Sequence, residues 1–175
     1  PGFHFAEHSV GRADRSNRIL VVRGMHISQE NDHQQAATVF VDEAPTHGSV
    51  IAGLEDAERI EVVRGPQSAY FGRATLAGAV NFVTKTPGRE FQGKLTGEFG
   101  EYGTTNVGAS IEGPMGDLLS FRIAASTQET DGQYRAANDP GLKLGARKTD
   151  SIAATLYFEP SDSFNAKLRF HTWED

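Results

Sequence analysis

The second half of the chain alternates between apolar and polar residues over five consecutive segments. Successive side chains of a strand point to opposite faces of a sheet, so each segment predicts a strand with one apolar and one polar face. The connections are short at 113–117 and 159–163, tight at 100–104 and long at 130–146. Together they predict an antiparallel meander. The five segments are Phe91–Gly100, Thr105–Gly113, Leu118–Thr127, Ser151–Glu159 and Phe164–Trp173.

Periodicity alone leaves two environments open for this meander. Soluble antiparallel sheets cover a core with their apolar face, whereas the apolar face of an outer-membrane barrel meets lipid. The apolar side here includes glycines and alanines, and the polar side carries isolated charges on each strand, which suits a polar lumen. Five strands cannot close, since the smallest membrane barrels have about eight. An open edge leaves backbone groups unsatisfied in lipid, so we expect a fragment of a larger polypeptide.

The first half carries shorter strand signals, apolar on both faces and separated by polar loops. Such strands predict burial in a mixed α+β core. Ile51–Glu58 predicts about two helical turns, with Ser49 as the N-cap. The strand signals are Ile19–Val22, Thr38–Val41, Ile60–Val63 and Ala79–Thr84. A loop joins the last two, and we expect positive φ or close backbone approach at its glycines. Its punctuating residues are Gly65, Pro66, Gly72 and Gly78.

Composition excludes several classes of function. The 175 residues contain no cysteine, so they hold no disulfide and no thiolate metal site. A net charge of −6 argues against a nucleic-acid partner, because phosphate binding needs a basic face. The apolar runs are too short for a transmembrane helix. No nucleophile elbow, P-loop or His-Glu-x-x-His motif occurs, so we expect no enzymatic activity and no cofactor.

Two features of the N-terminus concern targeting and metal binding. The chain begins without Met, basic n-region or apolar h-region, so we expect that a signal peptide has been removed or lies outside this sequence. His4 and His8 have the spacing of a metal-binding pair on a helix. No third ligand is implied beside them, so we predict no metal site.

Residues 58–87 carry the most specific pattern of the chain. They begin Glu-Arg-Ile-Glu-Val-Val-Arg-Gly-Pro-Gln-Ser-Ala-Tyr-Phe-Gly-Arg and end Asn-Phe-Val-Thr-Lys-Thr-Pro. With Leu-Val-Val-Arg-Gly-Met at 20–25 and Val-Phe-Val-Asp at 39–42, they closely resemble the plug domain of TonB-dependent outer-membrane receptors. The resemblance runs from about Ile19 to Pro87 and continues more weakly through the later strands. Glu43 stands where the family usually has glycine, and Ala77 where it often has the first of two glycines.

The resemblance implies a membrane β-barrel of about 22 antiparallel strands, filled by an N-terminal α+β plug domain. We therefore assign 1–87 to an N-terminally incomplete plug and 88–175 to about five truncated first strands of the barrel. It also implies the outer membrane of a Gram-negative bacterium, contact with its lipid, and the periplasmic protein TonB as partner. No TonB box is visible before Phe5, which leaves open whether a box or a signalling extension precedes Pro1.

The function implied by the resemblance is TonB-dependent active import of a scarce nutrient. The leading cargo is a ferric siderophore or another iron complex, a metal chelate that is carried as substrate. One alternative is a ligand-sensing or signalling receptor of the same fold. Another is uptake of a saccharide, cobalamin or an aromatic compound. A more distant one, independent of the resemblance, is a soluble β-rich binding module.

Two groups of candidate site residues follow from the resemblance. The plug loops at 24–37 and 43–50 should face the outer vestibule. Candidate contacts for a small-molecule cargo, in these loops and in the loop at 65–78, are His26, His33, Gln34, His47, Tyr70, Phe71 and Arg73. Charges at plug strand ends should pair with barrel-wall charges and form a latch that can be released. The alternative for them is an ordinary surface ion pair. The latch residues are Arg23, Glu61 and Arg64.

Overall fold

The computed structural model describes residues 2–7, 18–22, 25–26, 37–46, 57–66, 75, 77–132, 134–139, 141 and 143–175. Contacts between Cα atoms divide the chain into two compact units, Pro1–Lys85 and Thr86–Asp175. Every regular element among the described residues is a β-strand. The described residues contain no helix with the length and apolarity that crossing a membrane requires.

The first unit contains two small sheets. Its strands are β1 Phe3–Glu7, β2 Arg18–Val22, β3 Met25–His26, β4 Ala37–Val41, β5 Ala44–Pro45, β6 Ala57–Arg64 and β7 Gly78–Thr84. The first sheet has the order β1-β2-β3, and the second has the order β5-β4-β7-β6. Strands β4 and β7 are parallel and central, and both are buried on both faces, as apolar runs of this kind predict. The core side chains include Val39, Phe40, Ala79, Val80 and Phe82.

The four strands predicted in this unit are confirmed as β2, β4, β6 and β7. Two details of the prediction are wrong. Ala57 and Glu58, predicted to end a helix, begin β6, because the ladder with β7 extends to Thr84 opposite Ala57. Residues 51–56 of that predicted helix lie outside the described residues. The short strands β3 and β5 replace parts of predicted loops. His4 lies in the strand β1, and His8 lies outside the described residues.

The turn between β4 and β5 adopts a glycine-like backbone without glycine. Asp42 and Glu43 have φ of 48° and 68°, the paired positive values of a two-residue hairpin turn of type I′. Strand β7 holds this turn from the side: the Glu43 amide donates to Asn81 Oδ1 at 3.1 Å. The Asp42 carboxylate accepts from the Thr84 amide at 2.8 Å and from its hydroxyl at 2.5 Å. The backbone that suits glycine therefore persists with glutamate at position 43.

Replacing Glu43 with glycine is expected to stabilise this turn by up to about 1 kcal/mol. A side chain in the left-handed region costs about 1–2 kcal/mol, which outweighs the additional chain entropy of glycine, about 0.5–1 kcal/mol. Hydrogen exchange of the Thr46 amide, which closes the hairpin on the Val39 carbonyl at 3.0 Å, would report the change in the full-length receptor. Slower exchange is the expected result. Asp42→Ala is the control and should accelerate exchange, and faster exchange in Glu43→Gly would contradict the strain.

The second unit is one antiparallel sheet with the strand order β14-β13-β10-β9-β8. Its strands are β8 Gln92–Phe99, β9 Thr105–Pro114, β10 Leu119–Thr130, β13 Arg147–Ser161 and β14 Phe164–Glu174. The predicted five-strand meander is confirmed. The connection at 130–146, predicted as a polar loop, contains a small hairpin of β11 Tyr134–Arg135 and β12 Lys143–Leu144.

The register of this sheet collects the apolar side chains on one face. Ile111 lies opposite Ile123, which lies opposite Ala154. The large side chains of this face are exposed, with Leu95 at 80 % and Leu168 at 70 %. The opposite face carries buried polar residues, which are Glu112, Ser120, Arg122, Gln128, Thr149, Ser151 and Thr155. A soluble sheet covers its apolar face and wets its polar face, so this pattern is inverted and matches a barrel wall with a polar interior.

Candidate functional site

Most of the predicted cargo contacts lie outside the described residues. These are His33, Gln34, His47, Tyr70, Phe71 and Arg73, together with the latch residue Arg23 and the loop residue Gly72. His26 was expected in a loop, but it lies in β3, where it pairs with Val21 of β2. Backbone pairing of Met25 and His26 with β2 makes this segment a short strand rather than a loop. The proposed roles of these residues in cargo binding stay predictions.

The loop between β6 and β7 is closed at its base by backbone contacts. The Gly65 amide donates to the Ala77 carbonyl at 3.1 Å, and Gly78 pairs with Arg64. Gly65 has φ of 86° and Gly78 has φ of 149°, in the positive range expected for these glycines. No atom lies within 4 Å of where a Gly65 Cβ would sit, so strain rather than space favours glycine there. Pro66 follows as an exposed residue.

Ala77 and Glu43 are the two departures from the family pattern, and they differ in backbone conformation. Among the described residues, the non-glycine residues with positive φ are Asp42, Glu43 and Tyr102. Ala77 is not one of them, so alanine fits its position without this strain. Glu43 instead keeps the strained conformation in which glycine would be relaxed.

Glu61, a predicted latch residue, is held by contacts within the first unit. Its Oε1 accepts from Arg59 Nε at 2.9 Å, and its Oε2 accepts from Asn81 Nδ2 at 3.0 Å. The hydrogen bond from Asn81, followed by that from Arg59, holds the pKa of Glu61 below its usual range. Glu61 is therefore ionised at neutral pH, as a latch requires. Arg64, at the end of β6, is exposed. Pairing of either residue with the barrel wall stays a prediction.

A continuous polar chain links three elements of this unit. It runs from Arg59 through Glu61 to the side chain of Asn81, which is 2 % exposed, and from there to the amide of Glu43. Buried amide side chains that satisfy both ends fix the relative position of their neighbours. Sequence reasoning missed Asn81, because its role depends on the register that sets it opposite Glu61. The chain fastens β6, β7 and the β4–β5 turn into one block.

A buried ion pair lies on the polar face of the second unit. Arg122 Nη1 donates to Glu112 Oε2 at 2.5 Å, and their side chains are 6 % and 3 % exposed. Arg122 Nη2 also donates to Ser110 Oγ at 3.0 Å. Arg122 and Glu112 are direct neighbours across β10 and β9. Removing two charges from water is costly unless they pair this closely, so a shift in the register of these strands would leave both charges buried without each other.

The long connection at 130–146 and the tight turn at 100–104 each present an exposed tyrosine, and hydrogen bonds join the two segments. The Asp131 amide donates to the Tyr102 carbonyl at 3.0 Å, and Lys143 Nζ pairs with Asp131 Oδ2 at 2.7 Å. The rings of Tyr102 and Tyr134 are exposed, and Tyr134 lies opposite Leu144 in the hairpin. Such rings offer stacking surface and a hydroxyl group to a ligand. In the part of the chain that the structure describes, no group of three or more His, Asp or Glu is placed to hold a metal ion.

Comparison with known proteins connects this geometry to a family. The family model described as TonB-dependent Receptor Plug Domain matches residues 1–79, which include strands β1 to β6 and the first two residues of β7. The chain belongs to the TonB-dependent receptors. The family resemblance in the plug motifs is thereby confirmed, and so is the outer membrane of a Gram-negative bacterium as the location. Members of this family are receptors and transporters rather than enzymes.

Curated relatives of this receptor segment extend the match beyond the plug. It is 32 % identical to the ferric enterobactin receptor PirA of Pseudomonas aeruginosa over 136 residues, 74 % of this chain and 17 % of that protein. It is 31 % identical to the ferrienterobactin receptor of Escherichia coli over 121 residues, 65 % of this chain and 16 % of that protein. The chain therefore spans about a sixth of the length of these relatives.

Solved structures show the same fold. The ferric yersiniabactin uptake receptor FyuA of Yersinia pestis superposes with a TM-score of 0.76 at 24 % identity, covering 93 % of this chain and 25 % of that one. The pyoverdine receptor FpvA of Pseudomonas aeruginosa gives 0.72 at 18 % identity, covering 99 % and 23 %. The predicted fold class, a plug with the first strands of a membrane barrel, is confirmed.

Proposed function

We propose that the complete receptor containing this segment imports a ferric siderophore across the outer membrane, driven by TonB. One observation carries the proposal. The same chain contains a plug core and a sheet whose apolar face is exposed and whose polar face is buried. Such a sheet suits lipid on one side and a polar passage on the other. The names of the relatives, which are receptors for ferric enterobactin, favour an iron chelate as cargo.

The proposal assigns a role to each unit. The first unit, Pro1–Lys85, acts as the gate, and the second, Thr86–Asp175, contributes the first strands of the wall, with outer-membrane lipid against the exposed apolar face. TonB is the periplasmic partner, and the small-molecule cargo enters from outside. No covalent chemistry is required, since the work is binding followed by displacement of the gate. The charge of −6 gives no support to nucleic acid as a partner.

The plug's own contacts indicate how the gate resists opening. The polar chain through Glu61 and Asn81 and the parallel pairing of β4 with β7 hold this core as one block. Displacement of the block as a whole breaks fewer internal contacts than its unfolding. We therefore propose that force reaches this block last, after the segments that precede it in the chain.

Cargo is recognised, in this proposal, by the loops that face the outside. The predicted plug contacts are joined there by Tyr102 and Tyr134, which the fastened hairpin base holds exposed. Aromatic side chains stack on aromatic ligands with favourable offset or edge-to-face geometry. A catecholate or phenolate chelate of iron would use such rings.

A binding panel tests the cargo directly. The purified full-length receptor would be titrated with a ferric catecholate, a ferric hydroxamate, cobalamin and a maltodextrin, with quenching of intrinsic fluorescence as the readout. Saturable binding of a ferric siderophore alone is the expected result. Tyr134→Ala should weaken it, whereas Tyr157→Ala, a tyrosine of the sheet, should not. Binding of cobalamin or the saccharide in its place would contradict an iron cargo.

A further inference from the structure

Residues 86–91 lead into strand β8, and hydrogen bonds fasten them to one end of the sheet, which we call its rim. The Ser120 hydroxyl donates to the Pro87 carbonyl at 3.2 Å, and both residues are buried. Arg89 Nη1 donates to the carbonyl of Asp117, and its Nη2 reaches Glu159 Oε2 at 3.4 Å. These contacts lie at one end of the sheet, where the short connections at 113–117 and 159–163 are found.

An aromatic contact fastens the same segment on the other face. The ring of Phe91 meets that of Phe121 edge-on, with centroids 6.4 Å apart and planes at 64°. It also lies over Gly113, where a Cβ would collide with the ring. Ser120 and Phe121 are consecutive in β10, so their side chains occupy opposite faces of the sheet. The segment therefore crosses the rim, held on the polar face at Pro87 and on the apolar face at Phe91.

Arg89 occupies the crossing point and bridges two connections that are distant in sequence. Asp117 follows β9, and Glu159 belongs to the end of β13. A guanidinium suits this task because its nitrogens diverge in a fixed fork. Each exposed contact contributes little alone, so the fastening depends on several contacts acting together.

We propose that residues 86–91, named here the rim anchor, are the point at which extraction of the plug stops. The proposal rests on the TonB-driven import proposed above. Force applied to the N-terminal side of the plug travels along the chain until it meets contacts that belong to the sheet. The rim anchor provides such contacts next to β8, so β8 keeps its pairing with β9 while the plug is displaced. The plug then returns to the same wall after each cycle.

Cysteine labelling in intact cells tests the rim anchor. This stretch contains no cysteine, so Gly88→Cys gives a single reporter once any cysteine elsewhere in the full-length receptor is replaced. A Cβ at Gly88 meets its nearest atom, Glu112 Oε1, at an ordinary 3.7 Å, so the reporter fits. A second reporter, Val22→Cys, lies in the plug core at 0 % exposure. Maleimide labelling would be compared in cells with and without TonB, in the presence of a bound ferric siderophore.

The expected result is that TonB accelerates labelling at Val22→Cys and leaves Gly88→Cys unchanged. Adding Arg89→Ala should accelerate labelling of Gly88→Cys about fivefold with or without TonB, since two exposed contacts are lost. Glu159→Gln keeps the side-chain shape, removes one charge and should give a smaller increase in labelling. An increase in this conservative variant shows that the effect of Arg89→Ala does not come from misassembly. Lys94→Ala, an exposed cation of β8 outside the anchor, should give none.

Two results would overturn the rim anchor. One is TonB-dependent labelling of Gly88→Cys that rises together with that of Val22→Cys, which means that the segment leaves with the plug. The other is unchanged labelling of Gly88→Cys in both the Arg89→Ala and the Glu159→Gln variants. An unresponsive Val22→Cys beside a normal Arg89 effect would instead contradict the TonB-driven displacement of the plug and leave the fastening intact.

Discussion

Replacing Arg122 with alanine is expected to destabilise the receptor by about 3–5 kcal/mol, because the variant leaves the buried carboxylate of Glu112 without its closest cation. The two side chains are 6 % and 3 % exposed, and their nitrogen and oxygen lie 2.5 Å apart. Ser110 also loses a donor at 3.0 Å. The loss would appear as a lower urea midpoint for unfolding of the full-length receptor in lipid vesicles.

Two variants separate the charge from the packing in this prediction. Arg122→Met combined with Glu112→Leu removes both charges while keeping volume, and it should recover most of the lost stability. Lys148→Ala breaks an exposed pair with Asp150, whose atoms lie 2.9 Å apart, and should change stability by less than about 1 kcal/mol. An effect of Arg122→Ala as small as that of Lys148→Ala would show that the pair is solvated and the face is not buried.

Replacing Leu168 with arginine is expected to destabilise the folded receptor in lipid by about 2–4 kcal/mol, the cost of a cation on the lipid face near the bilayer midplane. Leu168 is 70 % exposed, lies opposite Leu156 and is about midway along β14 on the apolar face. In a soluble sheet a side chain this exposed would tolerate arginine at little cost. The substitution therefore distinguishes the two environments that periodicity left open.

The matched control for Leu168 lies on the same strand. Asn165 belongs to the polar face of β14 and is also exposed. Asn165→Arg should assemble and unfold as the parent receptor does. The measurement is the same urea titration in lipid vesicles, together with the amount of heat-resistant receptor in the outer membrane. Equal tolerance of arginine at both positions would contradict a lipid-facing side.

The long strands were predictable from sequence because the period-two pattern repeats over many residues. In β14, Phe164, Leu168 and Phe170 alternate with polar residues, so both the strand and its outward face follow from the pattern. The strands β11 and β12 have two residues each, too few to show a period. Their hairpin depends on contacts with the neighbouring turn at Tyr102 rather than on local preference.

The polar contacts were not predictable, since they depend on register. Glu112 and Arg122 are ten positions apart, and only the turn at 115–118 decides that they face each other. Asn81 likewise meets Glu61 through the register of β6 and β7. The turn at Asp42 and Glu43 lacks the glycine that usually signals a type I′ hairpin, and it is held by the tertiary contacts of Thr84 and Asn81. The residues next to each of these positions in the sequence do not indicate which partner it will contact.

Part of the candidate site was also predictable from sequence and part was not. The glycine positions of the loop at 65–78 were foreseeable, because positive φ at Gly65 follows from a tight Gly-Pro start. The rings of Tyr102 and Tyr134 were not singled out, because their prominence depends on the fastened hairpin base. The predicted cargo contacts on the plug stay predictions that the binding panel can extend by substitution of His33, His47 and Arg73.

Uptake of a radiolabelled ferric siderophore by cells carrying the full-length receptor tests the central proposal most directly. Parallel strains would have or lack TonB, and cells without the receptor would give the background. We predict that both receptor strains bind the complex at the surface and that only the strain with TonB accumulates iron above the background. Equal accumulation in the two receptor strains, or no binding of any ferric siderophore tested, would contradict TonB-driven import of an iron chelate.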